Sequence, residues 1–105
     1  NPDDEKAWYN LGLALGQKGD IEGEITSYTK ALELDSEIGL AWYNLAVALE
    51  KKEDFQGAIE AYKKVVELDP EDDEAWDDLS FALEKVGNLE EAEKARERAY
   101  KLRKD

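Results

Sequence analysis

Apolar residues recur at helical intervals along the chain, in pairs of short segments separated by polar turns. In the first segment, Trp8, Leu11 and Leu15 follow the i, i+3, i+7 spacing of one helical face. In the polar turn that follows this segment, Gly19 suits the left-handed position after a helix end. Asp20, the next residue, suits the N-cap of the following helix. The pattern therefore predicts six helices, near residues 5–17, 21–34, 39–51, 55–68, 73–85 and 89–103.

The whole pattern repeats at an interval of 34 residues. The first helix of each unit carries Ala-Trp-Tyr-Asn-Leu at 7–11, the same sequence at 41–45, and Ala-Trp-Asp-Asp-Leu at 75–79. Helical units that recur at such a period bury their apolar faces only by stacking on one another. We therefore predict a single all-α domain over residues 1–105, with repeats at 5–38, 39–72 and 73–105.

Small, aromatic and proline residues also stand at fixed places in the units, namely Trp8, Leu11, Gly12, Ala58, Tyr62, Pro70, Gly87, Ala92 and Ala99. Together with the period, these residues resemble the motif of the tetratricopeptide repeat family, over nearly the whole chain. The resemblance implies three helix-turn-helix repeats, in which six antiparallel helices coil into a right-handed α-solenoid. It also implies a concave groove that holds a peptide or protein segment.

Two positions depart from the repeat pattern. Glu53 stands in the turn where the other repeats have Gly19 and Gly87, so we expect it to adopt a positive φ at a cost on the order of 1 kcal/mol. Glu24 stands where the later repeats have alanine at a close helix contact. We expect its carboxylate either to hold the helices apart or to reach solvent past Gly23.

The chain is strongly acidic, with 27 Asp and Glu against 14 Lys and Arg and a net charge of −13. Such a balance argues against nucleic acid as a partner, because phosphates require a basic surface. The acids crowd between Glu67 and Asp78, and cations crowd the last helix. Solvation and favourable charges at helix ends explain most of this distribution, and attraction of a basic ligand is the other explanation for the acidic run.

Catalytic, metal and membrane functions find little support. Without Cys or His, the chain lacks thiol nucleophiles, imidazole bases and the usual zinc ligands. The acidic run lacks the spacing of a calcium loop, so we predict no metal site and no cofactor. No segment resembles a membrane span or a leader, so we expect a soluble protein, with the cytoplasm as the leading compartment and no membrane partner.

The face of each first helix that points away from the Trp and Leu stripe forms the candidate groove. Its residues are Tyr9, Asn10, Leu13, Leu40, Tyr43, Asn44, Val47, Glu74, Asp77, Asp78 and Phe81. The two tyrosines are the best ligand contacts, because an aromatic ring with a polar tip suits a half-wet surface. The apolar members have a second explanation, packing between adjacent first helices. The asparagines either hold a peptide backbone or serve in local capping or plain solvation. The three tryptophans are assigned to the core.

Some members of the family grip acidic C-terminal tails with a clamp of Lys, Asn and Arg. The matching positions hold Tyr9, Leu13, Asn44, Glu74 and Asp78, so only the asparagine is retained and two clamp cations are replaced by carboxylates. The resemblance therefore implies that acidic chaperone tails are not bound. A partly apolar segment with Lys or Arg suits the groove better.

The leading hypothesis is a non-enzymatic protein–protein interaction module that binds a peptide or protein segment in its groove. The alternative is a structural or engineered repeat scaffold without a dedicated ligand, which self-associates weakly end to end through exposed repeat faces. A peptide-binding measurement with groove variants separates the two hypotheses.

Overall fold

The computed structural model describes residues 4–104, and in that span it contains six α-helices and no strand. The helices are α1 (Glu5–Gln17), α2 (Ile21–Leu34), α3 (Gly39–Lys51), α4 (Phe55–Leu68), α5 (Asp73–Lys85) and α6 (Leu89–Lys104). Five match the predicted bounds, and α6 extends one residue further. Residues 1–3 and 105 of the predicted domain lie outside the described residues.

Polar caps start the second helix of each repeat. The Asp20 carboxylate accepts a hydrogen bond from the Gly23 backbone N–H at 3.0 Å, and Asp54 does the same for Gly57 at 3.0 Å. These bonds satisfy backbone donors that have no partner inside the helix. The caps fix where α2 and α4 begin.

The turn inside each repeat has one residue with a left-handed backbone. Gly19 has φ 83° and Gly87 has φ 82°, and Glu53 adopts φ 64° at the equivalent place. The expected positive φ of Glu53 is confirmed. Because a side chain is disfavoured in this region, the middle turn is held by the helices on either side rather than by its own preference.

The helices stack in chain order. The two helices of each repeat pack against each other, and the second helix of one repeat packs against the first helix of the next. The largest fully buried side chains are Tyr28, Ile59 and Tyr62, all on second helices. Small residues at close helix contacts surround them, including Ala41, Ala58 and Ala75. The core is therefore a continuous layer that crosses all three repeats.

The tryptophans are half-buried, and Trp42 and Trp76 pack against the core, so these two lie at its edge rather than inside it. Trp42 donates its indole N–H to the carbonyl oxygen of Ser36 at 2.8 Å, and Trp76 donates to that of Pro70 at 2.8 Å. Each acceptor lies in the turn before the helix that carries the tryptophan. An indole needs a partner for its N–H, and the turn carbonyl that provides one is at the surface.

One face of α1 is open. Leu11 is 44 % exposed, whereas its counterpart Leu45 is 8 % exposed. The same contrast holds for Ala7 and Ala14, which are exposed while Ala41 and Ala48 are buried. Leu11 was predicted to point into the stack. In the later repeats the second helix of the preceding repeat covers this position, and among the described residues no such helix precedes α1.

Glu24 takes neither of the two expected positions. Its side chain is 7 % exposed, and a Cβ at Gly16 would lie only 2.6 Å from its Oε2 atom. The carboxylate therefore fills the space that a side chain at Gly16 would need, and α1 and α2 pack closely around it. Within the part of the chain that the structure describes, its Oε1 atom has no hydrogen-bond partner.

The second repeat fills the corresponding space from the opposite helix. Glu50 stands one period after Gly16, and Ala58 stands one period after Glu24. The Tyr62 hydroxyl donates to Oε1 of Glu50 at 2.7 Å. In the first repeat, burial and then the neighbouring Glu24 carboxylate raise the pKa of Tyr28. Both repeats thus place a carboxylate beside the same buried tyrosine position, and they differ in which helix provides it.

Candidate ligand-binding groove

The predicted groove residues lie on α1, α3 and α5, and none of them is fully buried. The exposed members are Asn10, Leu13, Leu40, Glu74 and Phe81. The half-buried members are Tyr9, Tyr43, Asn44, Val47, Asp77 and Asp78. A row of partly exposed side chains along three consecutive first helices is a surface that an extended ligand can contact.

Two hydrogen bonds link neighbouring first helices within this row. The Asn44 side-chain amide donates to the Tyr9 hydroxyl at 3.0 Å, and the Tyr43 hydroxyl donates to Oδ2 of Asp78 at 2.8 Å. Each pair spans 35 residues, and the second pair is the first one moved along by one repeat. We name these two pairs the tyrosine ladder. Each of its four side chains uses one polar group in these hydrogen bonds.

The groove tyrosines are also held from behind. The ring of Tyr9 lies 5.7 Å from that of Tyr28, and the ring of Tyr43 lies 5.9 Å from that of Tyr62 in an edge-on arrangement. Such aromatic pairs contribute on the order of 1 kcal/mol beyond the area they bury. The tyrosines are therefore rigid features of the groove wall.

Two half-buried carboxylates lie under the groove surface. Burial raises the pKa of Asp78, and the negative charges of Asp77 and Asp72 raise it further, while the hydrogen bond from Tyr43 acts in the opposite direction. Burial also raises the pKa of Glu50, with a further contribution from Asp78. Negative charge is thus concentrated at the Asp78 end of the ladder. Because burial and mutual repulsion destabilise these carboxylates, a cationic ligand would be favourable there.

Asp77 is less available than predicted. Arg103 donates to Asp73 at 2.6 Å and also bonds to Asp77. The contact arises because α6 runs back along α5, which brings the end of one helix beside the start of the other. Sequence reasoning assigned the cations of α6 to its own C-terminus and missed this pairing. The uncompensated groove acids are therefore Glu74 and Asp78.

A cleft of about 500 Å³ opens between α3, the end of α4 and the start of α5. Its apolar side is formed by Leu40, Tyr43, Val65 and Leu68, and its polar side by the carboxylates of Asp69, Asp72 and Glu74. Among the described residues, no Lys or Arg lines it. We name it the acidic cleft. Three of these residues belong to the predicted groove, whereas those from α4 and the following turn were missed because they lie outside the first helices.

Two of the cleft acids are held by the backbone. Asp72 accepts a hydrogen bond from the Ala75 N–H at 3.1 Å, and Asp69 accepts one from the Glu71 N–H at 3.2 Å. Glu74 makes no ion pair within the described part of the chain. It is therefore the carboxylate that is free to turn towards a ligand.

Between residues 4 and 104, the acidic side chains form no group of three or more placed to hold a metal ion. Over the same residues, no helix combines the length and the apolar character needed to cross a membrane.

Three sequence models of the tetratricopeptide repeat match the chain, at residues 5–38, 39–72 and 61–94. The chain belongs to the tetratricopeptide repeat family. Its six helices and the structures it matches confirm the all-α solenoid. No curated protein sequence matches the chain.

Solved structures of this fold superpose closely. The crystal structure of MamA matches with a TM-score of 0.92 at 25% identity, and the match covers 99% of this chain and 57% of the MamA chain. This chain therefore spans little more than half of that protein. The second TPR of Spaghetti (RPAP3), bound to the HSP90 peptide SRMEEVD, matches with a TM-score of 0.85 at 24% identity, and covers 97% of this chain and 94% of that one. At that identity the likeness shows the fold alone. Family and fold together support a protein–protein interaction module.

Proposed function

We propose that this module binds a peptide segment in which Lys or Arg is flanked by apolar residues. The observation that carries the proposal is the acidic cleft, in which apolar side chains and three carboxylates face one space without a cation. Lys and Arg have an apolar stem and a charged tip, so one side chain satisfies both sides of such a cleft. The stem would lie on Leu40 and Leu68 and the tip would reach Glu74.

Neighbouring groove residues extend the contact surface. Phe81 is 49 % exposed and offers an apolar patch on α5, and Leu13 offers another on α1. An apolar side chain on each side of the basic residue would bury these patches. Aromatic and aliphatic anchors of this kind contribute most of the affinity in peptide recognition, and charge contributes selectivity and association rate.

An acidic tail is disfavoured by the same geometry. The HSP90 peptide held by the second TPR of Spaghetti carries two consecutive glutamates and a terminal aspartate. This chain presents Glu74 and Asp78 at the positions of two clamp cations. Like charges in a half-buried site oppose binding, so we expect that peptide to bind weakly or not at all.

The test compares two labelled peptides by fluorescence anisotropy. One alternates Leu with Lys, and the other is SRMEEVD. We expect the basic peptide to bind more tightly, and Glu74→Lys to weaken its binding about fivefold or more. Glu60→Lys makes the same charge change at an exposed site of α4 and serves as the matched control. Equal affinity of the two peptides, or equal effects of the two variants, would contradict the proposal.

A second candidate function is end-to-end association, and the open face of α1 favours it. The exposed Leu11 and its flanking alanines present the surface that a second helix covers in the later repeats. Sedimentation velocity over a range of concentrations measures such association. If it occurs through this face, Leu11→Glu should abolish it and leave peptide binding unchanged.

A further inference from the structure

A second cleft, of about 460 Å³, lies between α4, α5 and α6. It uses a different face of α5 from the groove, because its α5 residues are Trp76 and its neighbours in the inward stripe rather than Glu74 and Asp78. Val66, Trp76 and Leu79 form its floor, and Lys63, Lys94 and Arg98 stand on its rim. We name it the tryptophan cleft.

The same cleft recurs one repeat earlier, which identifies it as a feature of the architecture. Leu32, Trp42 and Leu45 line the earlier cleft, and each stands one period before a floor residue of the tryptophan cleft. The earlier cleft is smaller, at about 320 Å³, and has Lys64 as its only basic lining residue. The repeats thus provide two versions of one apolar depression, and the later one has three basic lining residues where the earlier one has one.

The basic rim is unusual on a chain with a net charge of −13. Within residues 4–104, Lys63 and Arg98 make no ion pair. Lys94 lies 3.7 Å from Glu90, but both side chains are highly exposed, and such a pair is screened by solvent. The rim therefore carries two cations, Lys63 and Arg98, that form no ion pair within residues 4–104.

Two glutamates also line the cleft, so its lining has three basic and two acidic side chains, and each glutamate has a contact outside Lys63 and Arg98. Glu67 lies 4.0 Å from Lys64, and Glu91 accepts a hydrogen bond from the Asn88 side chain at 2.6 Å. Neither contact involves Lys63 or Arg98. An incoming carboxylate would meet these two cations across the apolar floor.

We propose that the tryptophan cleft is a second binding surface, for an acidic amphipathic segment of a protein partner. An aliphatic or aromatic side chain of that segment fills the floor beside Trp76, and carboxylates on either side of it reach Lys63 and Arg98. The charge preference is opposite to that of the acidic cleft. The two clefts use different faces of α5, so one molecule has room for a basic and an acidic segment together.

The experiment uses a labelled helical peptide with Leu and Phe on one face and Glu on the other, and a companion with Lys in place of each Glu. Binding is measured by anisotropy at near-physiological salt. We expect the acidic peptide to bind, and the double variant Lys63→Glu/Arg98→Glu to weaken it at least about tenfold, with a smaller loss for Lys63→Gln/Arg98→Gln. Both positions are exposed, and the denaturation midpoint checks that the variants fold.

Two controls separate this surface from the others. Thr29→Glu changes the position of the earlier cleft that corresponds to Lys63 and should leave the affinity within about twofold. Glu74→Gln, which adds no cation to the groove, should also leave the affinity for the acidic peptide unchanged, whereas it should weaken the basic peptide. Loss of acidic-peptide binding in the tryptophan cleft therefore does not affect the proposed function of the groove. Likewise, failure of basic-peptide binding in the groove does not affect the result for the tryptophan cleft.

The proposal is overturned if the acidic peptide does not bind, if the Lys63/Arg98 variants bind it as tightly as the native chain, or if the companion peptide binds equally well. It is also overturned if neither peptide binds and the chain instead self-associates in a way that Lys63→Glu/Arg98→Glu abolishes. In that case the occupant is a second copy of the chain.

Discussion

Moving the carboxylate of the first repeat back to the first helix tests how this repeat packs. The double variant Gly16→Glu/Glu24→Ala gives the first repeat the arrangement that the second repeat has with Glu50 and Ala58. Each single change should lower the free energy of unfolding, and the double variant should recover it. The interaction between the two changes is the decisive quantity.

The expected magnitudes come from the contacts. In Gly16→Glu, the new Cβ meets the Glu24 carboxylate at 2.6 Å, and two carboxylates compete for one buried space. We expect a loss of about 1–3 kcal/mol, as for other overpacked sites. Glu24→Ala empties that space and removes the carboxylate beside Tyr28, for a loss of about 1 kcal/mol after the relief of its unpartnered oxygen. The double variant replaces a helical glycine and should be at least as stable as the native chain.

Urea denaturation followed by circular dichroism at 222 nm measures the four proteins of this cycle. A midpoint that changes at a constant slope reports stability alone. We expect a favourable coupling of about 2 kcal/mol or more between the two positions.

Additive losses would refute the reasoning. If the double variant is destabilised by about the sum of the single losses, the two carboxylate positions do not share one space. The equivalence of Glu24 and Glu50 would then be wrong.

Three further predictions concern one residue in each repeat. Glu53→Gly should raise stability by about 0.5–1 kcal/mol, because φ 64° is strained for a side chain, and a lower urea midpoint would contradict this. Gly19→Ala should lower the stability by a similar amount. Its new Cβ has open space, so the loss would come from the positive φ alone. Since the pKa of Asp78 is raised in the folded state, its contribution to stability is present below the ordinary value near 3.8 and is lost as the pH rises through the higher folded value. Asp78→Asn should therefore stabilise the protein at pH 7 and reduce the gain in stability on acidification, while it keeps an acceptor for Tyr43. If the urea midpoint of Asp78→Asn changes with pH as that of the native chain does, Asp78 does not contribute to the pH dependence of stability.

The helices could be predicted from the sequence because the local signals agree. Apolar periodicity, capping residues such as Asp20 and turn residues such as Gly19 all mark the same boundaries. Even the backbone of Glu53 followed from its place in the repeat. Each of these features depends on interactions within one helix or one turn.

Contacts between side chains of different helices were harder to predict. Glu24 seemed out of place because its position was compared only with Ala58 and Ala92, while the signal lay in the paired change at Gly16. Likewise, Arg103 was assigned to the end of its own helix. Reading two positions together across one period would have found the first contact, and the antiparallel geometry of α5 and α6 is needed for the second.

The tyrosine ladder was visible in principle as Tyr9 with Asn44 and Tyr43 with Asp78, since the second pair repeats the first. The burial of the tryptophans was overestimated for a different reason. A helical wheel gives the direction of a side chain, but not how far a neighbouring helix extends over it.

The tyrosine ladder has a mechanical consequence. Its hydrogen bonds join consecutive repeats across the row of residues that a ligand would touch, so they help to fix the angle between one repeat and the next. A ligand that accepts the hydrogen bond of the Tyr43 hydroxyl must displace Asp78, and occupancy is then coupled to the pitch of the solenoid. In a longer array built of such repeats, each bound segment would change the stiffness of the joint it covers. Ligand binding in the groove would then change the flexibility of the whole array, one repeat junction at a time.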